Sequence, residues 1–254
     1  MTTATRGPSG PVQHRRRRRG GVGNALLGAV GELLITVGLL LGLFVVWQLW
    51  WTDVEAAAVQ RELTAELEET FGEVPEEIGE VRTDTPPQEL EPLDATTFGR
   101  LWVPRWDSGS TQYARTISEG VDNATVLDVL GIGHYPGSAM PGEVGNFAIA
   151  GHRQSHGKPF YDITELELGD ELVVETEDAW YVYTVTDTLI VTPDQGEVVA
   201  ANPYDPGTAA ESAMITLTTC HPLFSVAERY IVHGELDHWV PRESGVPAAI
   251  GGEA

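Results

Sequence analysis

The chain has 254 residues, with 15 Lys and Arg against 38 Asp and Glu and a formal net charge of -23. Six cations precede residue 20, whereas from Thr52 onward nine cations face 37 acids, a balance of -28. Phosphates repel so acidic a segment, which argues against a nucleic-acid partner, and a single cysteine rules out an intramolecular disulfide.

Residues 1–21 read as a polar, basic cytoplasmic tail ending in the run Arg15 to Arg19. Residues 22–51 read as a transmembrane signal anchor. Ala25 to Trp51 supplies 27 residues with Glu32 as the only charge, where a spanning helix needs about 20. Trp47, Trp50 and Trp51 gather at the far end, as interfacial aromatics do, and the arginines before the span predict a single pass with the N-terminus inside. A cleaved signal peptide, cut near Ala56-Ala57-Ala58, is the rival, but the span is long for one.

Residues 52–95 read as an acidic stalk. Val54, Ala58, Leu63, Leu67 and Phe71 recur at roughly helical spacing. From Glu73 to Asp94 the chain is acidic, holds Pro75, Pro86, Pro87 and Pro92, and is expected to be extended. Residues 96–254 read as the extracellular domain. Strand candidates are Gly99–Pro104, Val129–Gly133, Asn146–Gly151, Glu171–Glu175, Trp180–Val185, Leu189–Val191, Ala213–Thr219 and Tyr230–Leu236, punctuated by Gly, Pro, Asn and Asp. Many short strands and no long helical pattern predict an all-β closed or sandwiched domain. From about Pro241 the chain reads as a loose tail.

Cys220 ends the apolar strand and is followed at once by His221-Pro222. Proline cannot continue a central strand, so Cys220 is expected at a strand end, where side chains meet loops and substrate. The competing reading is a small buried hydrophobe. With an ordinary pKa of about 8.5, a thiol needs a nearby His or Arg to attack at neutral pH. His152 follows the apolar strand through Gly151. Arg229 opens the strand nine residues after Cys220, so a hairpin of that length would set the two side by side.

Thr216-Leu217-Thr218-Thr219-Cys220, with Gly151-His152-Arg153 before it and Arg229 after it, resembles the sortase family, cysteine transpeptidases that join surface proteins to the Gram-positive cell wall. The segments His134 to Asn146 and Pro159 to Asp170 are similar to those flanking the family's catalytic-histidine strand. Tyr135 and Cys220-His221-Pro222 most resemble class E sortases of actinobacteria. The resemblance implies a closed eight-stranded β-barrel with short connecting helices. It further implies Cys220 as nucleophile, His152 as proton donor and acceptor, and Arg229 as oxyanion donor, with Thr219 and Tyr135 as substrate contacts. The implied partners are surface proteins with a C-terminal sorting signal of Leu-Ala/Pro-x-Thr-Gly type and a lipid II-type peptidoglycan precursor amine, with no cofactor. A thiol hydrolase, a pilin-polymerising sortase and a non-catalytic membrane-anchored binding domain are the alternatives. His221, beside Cys220, is expected on the opposite strand face. His233 and His238, near Glu235 and Asp237, meet no metal-ligand spacing, and no metal is assigned.

Overall fold

A computed structural model describes residues 22–251. The basic tail of residues 1–21 lies outside them. Helix α1 (Val22–Phe71) is 50 residues long. Two helices were expected, meeting near Thr52. Yet Gly42 is the last glycine or proline before Gly72, so nothing breaks the backbone pattern between them.

The helix belongs to two compact units. In the unit ending at Gln48, side chains such as Leu33, Leu40 and Phe44 are exposed, and the segment is long and apolar enough to cross a membrane. In the unit starting at Leu49, Leu67 is buried. There the Gln60 amide donates to Thr116 Oγ1 (2.9 Å) and Leu130 O (2.6 Å), and accepts from Thr116 N (3.1 Å). Gly72, at φ +80°, ends the helix and donates to Glu68 O (3.0 Å). That left-handed turn suits glycine, which carries no Cβ. Arg242 donates to the last carbonyls, Phe71 O and Gly72 O (both 3.0 Å), where a cation complements the helix dipole.

Eight strands follow: β1 (Thr97–Trp102), β2 (Ala114–Glu119), β3 (Ile132–His134), β4 (Gly145–Ala150), β5 (Glu171–Glu175), β6 (Ala179–Val191), β7 (Ala213–His221) and β8 (Glu228–Pro241). They close into a barrel in the order β1-β2-β3-β4-β7-β8-β6-β5, so the all-β, closed eight-stranded expectation is met. The pairs β2–β3 and β4–β7 are parallel, and the rest are antiparallel. Period-two alternation turns Phe147, Ile149, Ile215, Leu217 and Val232 into one core cluster.

Three expectations are corrected. Strand β2 has no counterpart among the strand candidates, because its buried residues are mostly polar and satisfied by specific partners. Ser118 bonds Thr97, Thr116 bonds Gln60, and Glu119 bonds the buried His134 (2.6 Å). The candidates Trp180–Val185 and Leu189–Val191 are one strand, β6, whose register against β8 shifts between Val185 and Asp187. The chain after Pro241 is not a loose tail: Val246 and Ile250, the latter in the short helix α2 (Ala248–Gly251), join Trp102, Trp180 and Val240 in an outer apolar cluster.

The acidic segment expected to stand extended as a stalk also lies along the barrel. Arg82 and Trp239 exchange backbone hydrogen bonds (2.8 and 2.9 Å). Glu89 accepts from Thr176 Oγ1 (2.6 Å) and the Tyr181 hydroxyl (2.8 Å). Burial, with Glu89 alongside, holds the Tyr181 phenol above its ordinary range, so it stays a donor. Glu91 likewise accepts from Gly137 N (2.9 Å), so part of the segment's acidic charge meets donors on the barrel.

Candidate active site

Strands β7 and β8 form a hairpin whose register sets Cys220 directly opposite Arg229, and His221 opposite Glu228. The expected side-by-side placement is therefore a consequence of antiparallel pairing, in which opposed Cβ atoms lie about 5 Å apart. Cys220 is half-buried, at the rim where β7 leaves the core. The Arg229 Nη1 donates to two carbonyls of its own loop, Val226 O (3.0 Å) and Glu228 O (2.9 Å). A guanidinium has five N–H donors, so Nη2 and Nε retain theirs for another acceptor.

His152 reaches the same rim from β4. Ala150 pairs with Thr218 in the parallel β4–β7 ladder, and Gly151 N donates to Thr218 O (3.2 Å). Thr219 is buried and its hydroxyl donates to Gly151 O (2.6 Å). This threonine thus fixes the backbone immediately before His152. Two further contacts tie the histidine loop to the β7–β8 hairpin. Arg153, 5% exposed, donates from Nη1 to His221 Nδ1 (2.8 Å), and Gln154 Oε1 accepts from Phe224 N. Since guanidinium only donates, His221 Nδ1 is an acceptor in this pair, and His221 serves to hold the two loops together.

The imidazole of His152 has a partner that no sequence motif marks. Its Nε2 lies 2.6 Å from Asp128 Oδ1, in the connection between β2 and β3. An ionised carboxylate only accepts, so Nε2 carries a proton there and Nδ1 is the nitrogen left for chemistry. His156 completes the group: its ring centroid is 5.1 Å from that of His152, and its Nδ1 is 3.6 Å from Asp128 Oδ1. Asp128 carries no motif of its own. It sits after a π-turn, Asn123–Leu127, and only the barrel brings it to His152.

Tyr135 follows β3. Its hydroxyl shares a hydrogen bond with Thr218 Oγ1 (3.0 Å), and its ring packs on Val126, Leu127 and Ala150. It therefore stands two residues from Cys220 along β7. Neither His233 nor His238 joins this group. His233 Nδ1 bonds Thr216 Oγ1 (2.8 Å), which donates to Asn146 Oδ1 (2.7 Å), and burial lowers the His233 pKa to about 4. A cavity of about 630 Å³ opens beside the histidine loop, lined by Gln60, Arg61, Leu130, His156 and Lys158, but Cys220 is not on its wall.

The chain and its barrel are similar to known proteins. The profile of the sortase domain matches residues 103–237. The chain belongs to the sortase family. Across 97% of its length it is 36% identical to the sortase SrtE1 of Streptomyces coelicolor, covering 68% of that protein. Among solved structures, the SrtA sortase from Actinomyces oris superposes with a TM-score of 0.63 at 39% identity, over 68% of this chain and 98% of that one. Sortase E1 from Streptomyces coelicolor, solved with a tripeptide in its active site, gives a TM-score of 0.55 at 36% identity, over 62% of this chain and 99% of that one. The expected resemblance to class E is met, and this sortase is a cysteine transpeptidase.

Proposed function

We propose that this sortase is anchored in the cell membrane by residues 22–51, with residues 1–21 cytoplasmic and the barrel outside. There it cleaves a Leu-Ala/Pro-x-Thr-Gly-type sorting signal between Thr and Gly. Cys220, its thiol proton passed to His152, attacks the threonine carbonyl carbon. His152 protonates the leaving glycine amine, and the acyl group rests on sulfur as a thioester. An amine of a peptidoglycan precursor then attacks the thioester, with His152 taking its proton. Nε2 stays hydrogen-bonded to Asp128 throughout, while Nδ1 exchanges the proton. The free Nη2 and Nε donors of Arg229 stabilise the oxyanion. Tyr135 faces the second position of the signal, and Thr219 acts by fixing the carbonyl before His152.

The observation that carries this reading is the Cys220–Arg229 register pair, joined by the Thr219–Gly151 hydrogen bond to the end of β4. The bound tripeptide of Streptomyces coelicolor sortase E1 supports a peptide substrate. The test uses the full chain in detergent, with Leu-Ala-x-Thr-Gly and Leu-Pro-x-Thr-Gly peptides, with and without an added amine. Thioester capture and diversion of product to the amine adduct are expected, both absent in Cys220→Ala. Hydrolysis that no amine diverts would replace transpeptidation with a thiol hydrolase, and preference for a protein lysine over a wall-precursor amine would make it a pilin polymerase.

A further inference from the structure

One ligand atom from each of Asp128, His152 and His156 lies within 4.8 Å of the other two, and Asp128 Oδ1 is 2.6 Å from His152 Nε2 and 3.6 Å from His156 Nδ1. The His156 Nδ1 is buried and has no hydrogen-bond partner. A buried polar atom left unmatched is costly, and here it faces a carboxylate oxygen and a second imidazole. We propose that these three side chains form a site for Zn2+ or a similar divalent transition metal, and that the bound ion silences the enzyme by occupying His152.

The donor set selects the ion. Two imidazoles and one carboxylate suit zinc and its neighbours, whereas Ca2+ takes six to eight oxygens. Tetrahedral zinc, with bonds of about 2.0 to 2.1 Å, spaces its ligand atoms about 3.3 Å apart. The 3.6 Å between His156 and Asp128 is already near that spacing. The 2.6 Å between His152 and Asp128 must open by less than 1 Å, a side-chain adjustment. All three residues are partly exposed, so an ion can enter from solvent, and the excess of 37 acids over nine cations beyond Thr52 raises the local cation concentration. Cys220 is not among the clustered atoms, which leaves the fourth position to water.

Binding requires His152 to release its Nε2 proton to solvent and become a neutral ligand. The ring then holds the metal on Nε2 and its one remaining proton on Nδ1, so no nitrogen is left to take up a second proton and form the imidazolium. Acyl transfer stops until the ion leaves. This inhibitory half rests on the proton-transfer role given to His152 under Proposed function, whereas the binding half does not.

The experiment takes the full chain in detergent, stripped of metal. Zn2+ is titrated by calorimetry, and Co2+ serves as the spectroscopic probe. One ion per chain is expected. His156→Ala should weaken binding at least about tenfold, since even outer partners of metal ligands are worth that much. Cys220→Ala should bind as the wild type does, and the Co2+ adduct should show no thiolate charge-transfer band. Absence of binding, binding that depends on Cys220, or binding indifferent to His156→Ala would overturn the site. In parallel, Zn2+ should suppress amine-adduct formation reversibly by chelator. His156→Ala should shift the inhibiting concentration upward, each protein being measured against its own metal-free rate. Stoichiometric binding through His156 without suppression would overturn the inhibitory half alone. Failure of transfer in the metal-free wild type would instead strike the proposed function and leave the binding result standing.

Discussion

The two sides of the candidate active site are built differently. Cys220 and Arg229 sit on paired strands of one hairpin, and their proximity follows from ladder register. His152 sits just past the end of β4 on a loop, and side-chain contacts hold it: Asp128 on its ring, Thr219 before it, Arg153 and Gln154 after it. That loop also reaches α1, where Lys158 pairs with Asp53 (2.5 Å). The strand side belongs to the barrel's hydrogen-bonded ladder. The loop side rests on side-chain contacts, which fits a group proposed to exchange protons and, in the proposed metal state, to change partner.

Substitutions should separate the two sides. The largest effect is expected from Arg229→Ala, which removes the proposed oxyanion donor without touching the ladder. It should lower kcat/KM about 100- to 1000-fold with an unchanged melting temperature, measured by peptide cleavage and thermal denaturation. A loss of stability of similar size would mean that the Val226 and Glu228 contacts, rather than catalysis, are its main work.

Acid should weaken the strand side through His233, which joins β8 to β7. Its folded pKa, about 4, is lowered by burial from 6.5, so the unfolded chain binds the proton first. The contribution is intact above pH 6.5 and is lost as pH falls toward 4. At about 1.36 kcal/mol per unit, it amounts to about 2 to 3 kcal/mol by pH 4.5. Melting curves of wild type and His233→Asn between pH 7 and 4.5 check it, the variant lacking this share of the slope.

On the loop side, Asp128→Asn keeps a hydrogen-bond acceptor but loses the charge. Turnover should fall about tenfold, a fraction of the 100- to 10,000-fold that a positioned acid–base group contributes. The pH–rate profile should move with it, while KM stays near wild type, a pattern that a purely structural role would not produce. The smallest effect belongs to Asp53→Asn. A partly exposed ion pair is worth about 0.2 to 1 kcal/mol, so activity should change less than about fivefold and recover little in high salt. A larger loss would make α1 a working part of the histidine loop.

Legibility followed the same division. The Cys220–Arg229 pairing was readable because a hairpin is local and nine residues leave little freedom. Gly151-His152-Arg153 was readable as a motif, but not its bonds: Arg153 reaches His221 across 68 residues. Asp128 and strand β2 gave no hydropathy signal, since their polar atoms are matched by groups elsewhere in the chain, and His156 is a single loop residue that no motif marks.

The sequence by itself determined the apolar span, the change to a strand-rich domain after residue 95, and the strand-end position of Cys220. Each depends on spacing and composition over a few tens of residues, where period and turn chemistry act directly. Only the tertiary structure decided that β4 runs parallel beside β7, that Asp128 holds His152, and that the acidic segment lies along the barrel. Parallel pairing and matched buried polar groups join residues far apart in the chain, and no local pattern records which distant partner satisfies them.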